Sequence, residues 1–68
     1  MSTIESKVRA RIIRECQKSD IFVNVGFQSE DGTMIYYIEH EGKDTKKLTK
    51  ICEKIISGRY KLMEFTST

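Results

Sequence analysis

Two segments of the chain repeat apolar residues at the spacing of an α-helix. In the first, the apolar positions recur every four residues and span ~120° of a helical surface. These positions are Ile4, Val8, Ile12 and Cys16. Ser2 followed by Glu5 matches a capping box, which favours a helix start at this point. We therefore expect a first helix from about Thr3 to Lys18.

The second helical segment combines one apolar stripe with a polar opposite face. The stripe consists of Leu48, Ile51, Cys52, Ile55 and Ile56. Asp44 precedes it as a candidate N-cap, and Gly58 follows it at the position of a C′ glycine. We expect this second helix to run from about Thr45 to Ser57.

Three other segments have the short apolar patterns of β-strands. They are Ile21–Phe27, Met34–His40 and Tyr60–Phe65. Asp31-Gly32, between the first two, is a strong hairpin signal. A two-residue turn there pairs Phe27 with Tyr36 and Val25 with Ile38. A slip by one residue would bring a glutamate onto the apolar face, so the apolar pattern selects the first register.

The element order α-β-β-α-β predicts an α+β fold in a single domain of residues 1–68. A helix between the second and third strands favours a right-handed crossover. The first strand is the most apolar, which suits the centre of a sheet. We therefore expect a two-layer sandwich: a three-stranded antiparallel sheet in the order second–first–third, with two helices on one face.

Such a sheet leaves its other face open. If Tyr36 lies under the helices, Tyr37 points the opposite way, as do Phe22 and Ile35. A contiguous apolar patch of this kind marks an interface. The third strand adds either Tyr60 and Leu62 or Met63 and Phe65. The candidate interface residues are Phe22, Gln28, Ile35, Tyr37 and Tyr60.

These features favour a small non-catalytic binding or regulatory protein that acts through the open sheet face or a sheet edge. Its partner is then another protein or a second copy in a homodimer. A single domain of this size also suits a phage or mobile-element inhibitor of host machinery.

The charge pattern supports an alternative hypothesis. The net charge of +2 hides an uneven distribution. Residues 1–19 carry a net charge of +3, residues 20–42 carry −5, and residues 43–68 carry +4. Basic side chains follow the outer side of both predicted helices. They are Lys7, Arg11, Arg14, Lys18, Lys46, Lys47, Lys50 and Lys54. A layer of this kind favours contact with the phosphate backbone of nucleic acid.

No motif indicates a metal, a cofactor or catalysis. Cys16, Cys52 and His40 lack the spacing of metal ligands, and the glycines are too isolated to cradle a phosphate. We expect two buried thiols, a half-exposed histidine and no enzymatic activity. The chain has no run of about 18 apolar residues and no apolar leader. We therefore expect no membrane association and a cytoplasmic location, in the producing cell or in a host.

The stretch VNVGFQSEDGTMIYYIEHEG, followed by a helix, resembles the second half of ferredoxin-like α/β plaits such as acylphosphatases. Those proteins carry an Asn–DGT–EG arrangement in a hairpin. The resemblance covers about 20 residues, by the quoted letters. Gln28 stands near the place of the asparagine, and the first strand and the arginine-containing phosphate loop of that family have no counterpart here. The resemblance therefore implies a shared hairpin–helix shape and no activity.

Overall fold

A computed structural model describes residues 3–65 of the chain. In chain order its elements are α1 (Ile4–Lys18), β1 (Val23–Glu30), β2 (Thr33–His40), α2 (Thr45–Ile55) and β3 (Arg59–Glu64). The predicted α+β class and the α-β-β-α-β order are confirmed.

Both ends of α1 are satisfied by local hydrogen bonds. Thr3 is the N-cap, and its side-chain oxygen accepts a hydrogen bond from the backbone N–H of Ser6 at 3.1 Å. Ser2, the predicted first member of a capping box, lies outside the described residues. At the other end, the backbone N–H of Ile21 donates to the carbonyl of Cys16 at 2.8 Å. This bond turns the chain from the helix toward β1.

The ends of α2 differ from the expectation in two respects. Asp44 is the N-cap residue, but it has left-handed backbone angles with φ 48° and makes no side-chain capping bond. The helix ends at Ile55, because Ile56 is already extended. Gly58 is not among the residues with positive φ, so its predicted role as a C′ glycine is wrong. After α2 ends at Ile55, residues 56–58 connect it to β3, which begins at Arg59.

The strand order corrects the prediction. The order is β1-β2-β3, with β2 in the centre. β1 and β2 are antiparallel, whereas β2 and β3 are parallel. The predicted order, with the first strand in the centre, is therefore wrong, and the predicted antiparallel arrangement holds for β1 and β2 but not for β3. The crossover through α2 joins neighbouring strands, and a helical crossover between neighbours makes them parallel.

The hairpin register is the predicted one. Phe27 pairs with Tyr36 and Val25 with Ile38. The turn residues Asp31 and Gly32 both have positive φ, at 50° and 78°. Two such residues are typical of the two-residue turns that match the twist of the flanking strands. The rings of Phe27 and Tyr36 meet edge to face, with centroids 6.1 Å apart.

One core joins the helices to one face of the sheet. Its buried members are Ile12, Cys16, Ile21, Val25, Tyr36, Ile38, Leu48, Cys52 and Ile56. Because both helices contribute to this cluster together with Val25, Tyr36 and Ile38, both pack on the same sheet face. Tyr36 lies beneath them with 7% of its surface exposed. The opposite face, called the open face below, carries the alternate residues of each strand.

Candidate binding surfaces

The centre of the open face is closed within a single chain. Ile35 is only 5% exposed, although no helix covers it. In the sheet it lies between Gln28 of β1 and Arg59 of β3. Long polar side chains bury apolar neighbours under their aliphatic stems. The expectation that Ile35 is an open anchor for a partner is therefore wrong.

Tyr37, two residues along β2, is half-buried. The ammonium nitrogen of Lys61 lies 6.0 Å from the centroid of its ring, a distance typical of a weak cation–π contact. The phenol hydroxyl donates to a carboxylate oxygen of Glu30 at 3.4 Å. Gln28 is exposed. Tyr37 and Gln28 are thus on the open face as expected, with charged groups beside the ring.

Tyr60 belongs to the other side of the sheet. It pairs with Tyr36, so its side chain points toward the helices, where it is half-buried against the core. Desolvation by this burial, together with the charges of Glu53 and Cys52, raises the pKa of its phenol. Its predicted place in an open-face interface is wrong.

The exposed apolar residues of the open face lie near the end where β2 and β3 finish. Phe22 is 65% exposed, Met63 41% and Phe65 36%. In the sheet, Glu39 of the central strand lies between Asn24 and Met63, so Met63 has a charged neighbour on this face. Both faces of the third predicted strand were partly apolar, so only its pairing with β2 identifies Met63.

The second candidate surface, called the basic helix layer below, lies on the outer side of α1 and α2. All eight predicted cations of this layer are exposed. They are Lys7, Arg11, Arg14, Lys18, Lys46, Lys47, Lys50 and Lys54.

The two helices bring parts of this layer together in one groove. Arg11 and Lys18 of α1 and Lys54 of α2 line a groove of about 120 Å³ between the helices. Ile51 and Ile55 are among the other lining residues. The sequence predicted the cations of each helix separately. The groove shows that cations from both helices face the same space.

Acidic groups interrupt the basic helix layer at few points. Glu15 lines the same groove and pairs with Lys18, with nitrogen and oxygen 3.6 Å apart. A second cleft, of about 570 Å³, lies at the start of α2, where Lys46, Lys47 and Lys50 line it with Asp44 and Thr45. The surface therefore carries exposed cations at several places along both helices.

The residues considered for chemistry are buried. His40 is 4% exposed, so the expectation of a half-exposed side chain is wrong. Its Nδ1 accepts a hydrogen bond from the backbone N–H of Gly42 at 3.0 Å. Within residues 3–65, no group of three or more Cys, His, Asp or Glu side chains could hold a metal ion.

Both cysteines are free thiols with no exposed surface, which confirms the prediction of buried thiols. Burial is the main cause that raises the pKa of Cys52 to about 12, followed by the nearby Cys16 and Glu53. Burial, and then Glu15, also raises the pKa of Cys16. Since the thiolate is the reactive form, neither cysteine is set up as a nucleophile.

Comparison of the chain with models of protein families, with curated proteins and with solved structures finds no match. In the described part of the chain, neither helix is long and apolar enough to cross a membrane. The geometry of the two surfaces therefore carries the functional argument alone.

Proposed function

We propose that the protein is a non-catalytic binding protein whose basic helix layer contacts the phosphate backbone of nucleic acid. The observation that supports this most is the groove shared by Arg11, Lys18 and Lys54, in which cations of two helices face one space. Phosphate neutralisation by Lys and Arg supplies most of the affinity in such complexes.

The spacing of the cations on α1 suits a backbone. Lys7, Arg11, Arg14 and Lys18 recur along one side of the helix. From the first to the last they extend ~16 Å at 1.5 Å per residue. Phosphates of one strand of duplex DNA follow one another about every 3.4 Å along the helix axis. The row on α1 therefore matches a stretch of about five nucleotides.

The proposed contact is not sequence-specific. The contributing cations of α2 are all lysines, and lysine is a flexible point charge suited to phosphate. Base reading needs side chains fixed in a groove of the duplex. We therefore expect similar affinity for duplexes of different sequence.

The basic helix layer is favoured over a protein partner on the open face for a structural reason. Of the five residues that supported that first hypothesis, Ile35 is buried and Tyr60 points into the helix layer. Among the apolar residues of that set, only Phe22 is well exposed. An inhibitory role toward a host protein would rest on this reduced surface. A cytoplasmic location remains part of the proposal and fits two free thiols.

The experiment compares two double variants with equal loss of charge. Arg11→Ala with Lys54→Ala removes two cations from the groove, whereas Arg59→Ala with Lys61→Ala removes two from the open face. Fluorescence anisotropy with a labelled 20-bp duplex, at submicromolar protein and low salt, measures the affinity.

We expect the groove variant to bind at least about tenfold more weakly, at roughly 1 kcal/mol per lost phosphate contact, and the open-face variant to bind nearly as the wild type. Equal losses in the two variants would show that only net charge matters. Absence of wild-type binding at low salt would refute the proposal.

A further inference from the structure

β1 is an edge strand without the features that normally protect a sheet edge. In the described part of the chain its only neighbouring strand is β2. It pairs with β2 in one unbroken register, and residues 26–30 are all exposed. Lysines, prolines, bulges or a short strand normally keep other chains from pairing with an edge. Residues 23–29 contain no proline and no charged side chain, whereas β3, at the other edge, is shorter and carries Arg59, Lys61 and Glu64.

The backbone groups that point to the free edge of β1 follow from the hydrogen bonds of β2. The carbonyl of His40 accepts a hydrogen bond from the backbone N–H of Phe65, so it points away from β1. His40 lies opposite Val23, which makes this a pair without hydrogen bonds between its members. Bonded and non-bonded pairs alternate along an antiparallel ladder. The N–H and C=O groups that point outward therefore belong to Val23, Val25, Phe27 and Ser29.

We propose that β1 pairs in antiparallel fashion with β1 of a second copy of this chain. The two-fold axis is perpendicular to the sheet and passes between the Gly26 residues of the two copies. Val25 then lies opposite Phe27 of the second copy, and Val23 lies opposite Ser29. Every outward N–H and C=O group of these residues gains a partner. The two sheets join into one of six strands, three from each copy.

The bonding pattern selects this register among the two-fold arrangements of the two edges. Hydrogen bonds form only where outward-pointing residues lie opposite each other, which places the axis at a residue rather than between two residues. An axis at Val25 would set Ser29 opposite Ile21, outside the strand. An axis at Phe27 would set Val23 opposite Asp31, in the turn. Only the axis at Gly26 pairs all the outward-pointing residues with one another.

The side chains suit the same register. On the helix side, the Phe27 ring is 37% exposed in the single chain and would lie beside Val25 of the second copy. Aromatic and β-branched residues directly opposite each other stabilise paired strands. On the other side, the two Gly26 residues meet at the axis without side chains, and Asn24 lies opposite Gln28. Since the paired stretch holds no charge, no like charges oppose association.

The paired stretch is short, which indicates a weak dimer. Residues 23–29 rise about 3.3 Å each, so the contact is roughly 20 Å long and one strand wide. Interfaces of this size are typical of transient complexes. The two-fold axis closes the assembly, so it produces dimers and no longer assemblies. The basic helix layers of both copies lie on the same side of the joined sheet, but the dimer itself does not depend on the proposed function.

The test uses two charge variants that repair each other. Asn24 and Gln28 are exposed and lie opposite each other between the two copies. Sedimentation equilibrium without nucleic acid, at low salt, is run on the wild type, on Asn24→Lys with Gln28→Lys, on Asn24→Glu with Gln28→Glu, and on an equimolar mixture of the two variants. Glu53→Gln with Glu64→Gln is the control, because it changes the net charge as the lysine variant does but at exposed positions outside β1.

We expect the wild type and the control to dimerise alike. Each charge variant alone should lose about tenfold or more in association constant, because like charges lie directly opposite each other at both symmetric positions. The mixture should associate at least as well as the wild type, since both positions then hold opposite charges. A wild type that stays monomeric up to millimolar concentration overturns the proposal, as does a mixture no better than its components.

Amide hydrogen exchange of the wild type, followed by NMR at low and high protein concentration, tests the same contact without any variant. The outward N–H groups of Val25 and Phe27 should exchange more slowly as the concentration rises, whereas exchange on β3 should not change. Circular dichroism shows whether each variant is folded, and the exchange data decide where one is not. Exchange at Val25 and Phe27 that is independent of concentration overturns the proposal, even in a protein that dimerises.

Discussion

Cys52 links the stability of the fold to alkaline pH. The side chain is fully buried in the core. Burial, with smaller effects of Cys16 and Glu53, raises the pKa of the Cys52 thiol from 9.0 to about 12. A group whose pKa is higher in the folded chain contributes stability below its unfolded pKa and loses it as pH rises toward the folded one. The contribution is therefore complete below pH 9 and disappears between about pH 9 and 12.

The size of this loss of stability follows from the shift in the pKa of Cys52. Each pH unit above the unfolded pKa lowers the free energy of unfolding by about 1.4 kcal/mol for one thiol. At pH 10.5 the loss from Cys52 is thus about 2 kcal/mol, and it approaches about 4 kcal/mol near pH 12. The total free energy of unfolding of a domain of this length is on the order of 3–10 kcal/mol. Ionisation of this single side chain therefore removes a large fraction of the free energy of unfolding.

The assay is urea unfolding, followed by circular dichroism, of the wild type and Cys52→Ala at pH 7, 9, 10 and 10.5. At pH 7 the variant should be less stable by about 1–2 kcal/mol, because it loses a buried sulfur. This difference should shrink above pH 9 and vanish or reverse by pH 10.5. The raised pKa values of Cys16 and Tyr36 have causes other than Cys52 and are common to both proteins. The pKa of Tyr60 is raised by burial, by Glu53 and least by Cys52, so the variant loses only that smallest contribution. A difference that stays constant from pH 7 to 10.5 would refute the reasoning.

Three further substitutions test the fold. Gly42→Ala should cost about 1–2 kcal/mol in urea unfolding, because φ is 88°, a left-handed backbone conformation that residues with a Cβ rarely adopt. An unchanged midpoint would contradict this backbone geometry. Thr3→Ala should lower stability by about 1 kcal/mol through loss of the helix cap, whereas Thr3→Ser should keep it; equal effects would argue against the cap. Leu48→Ala should cost about 2–5 kcal/mol, since the side chain is fully buried; a loss below 1 kcal/mol in thermal or urea unfolding would place Leu48 outside the core.

The hairpin could be predicted because its signals are local. Asp31-Gly32 specifies the turn, and the alternation of apolar residues leaves one register that buries Val25, Tyr36 and Ile38 together. The helices were also predictable, from apolar spacing, to within two residues at each end.

The strand order could not be read from local patterns. The predicted segment Ile21–Phe27 is rich in apolar residues, yet β1 is an edge strand and most of its residues are exposed. β2 is central and has buried residues on both faces, with Ile35 on one and Tyr36 on the other. Ile35 lies between Gln28 of β1 and Arg59 of β3, so its surroundings depend on which strands are neighbours. Periodicity along one strand contains no information of that kind.

For the two candidate surfaces, too, some features follow from local patterns and others depend on how the elements pack. Exposure of the basic helix layer follows from helical spacing alone, and the structure confirms that exposure. The meeting of Arg11 and Lys54 in one groove depends on how the helices pack, which the spacing does not specify. The parallel pairing with β2 decides which residues of β3 point toward the helices. Tyr60, which pairs with Tyr36, points toward them, whereas Met63, which pairs with Glu39, lies on the open face.

The salt dependence of duplex binding by the wild-type protein is the strongest test of phosphate binding by the basic helix layer. If about five cations of the basic helix layer contact phosphates, log K should fall linearly with log salt concentration, with a slope of about −4 to −5. Anisotropy titrations between 25 and 200 mM NaCl measure that slope. A slope in this range supports a phosphate-binding surface formed by both helices. No detectable binding at 25 mM NaCl, or an affinity that does not change with salt, would contradict it.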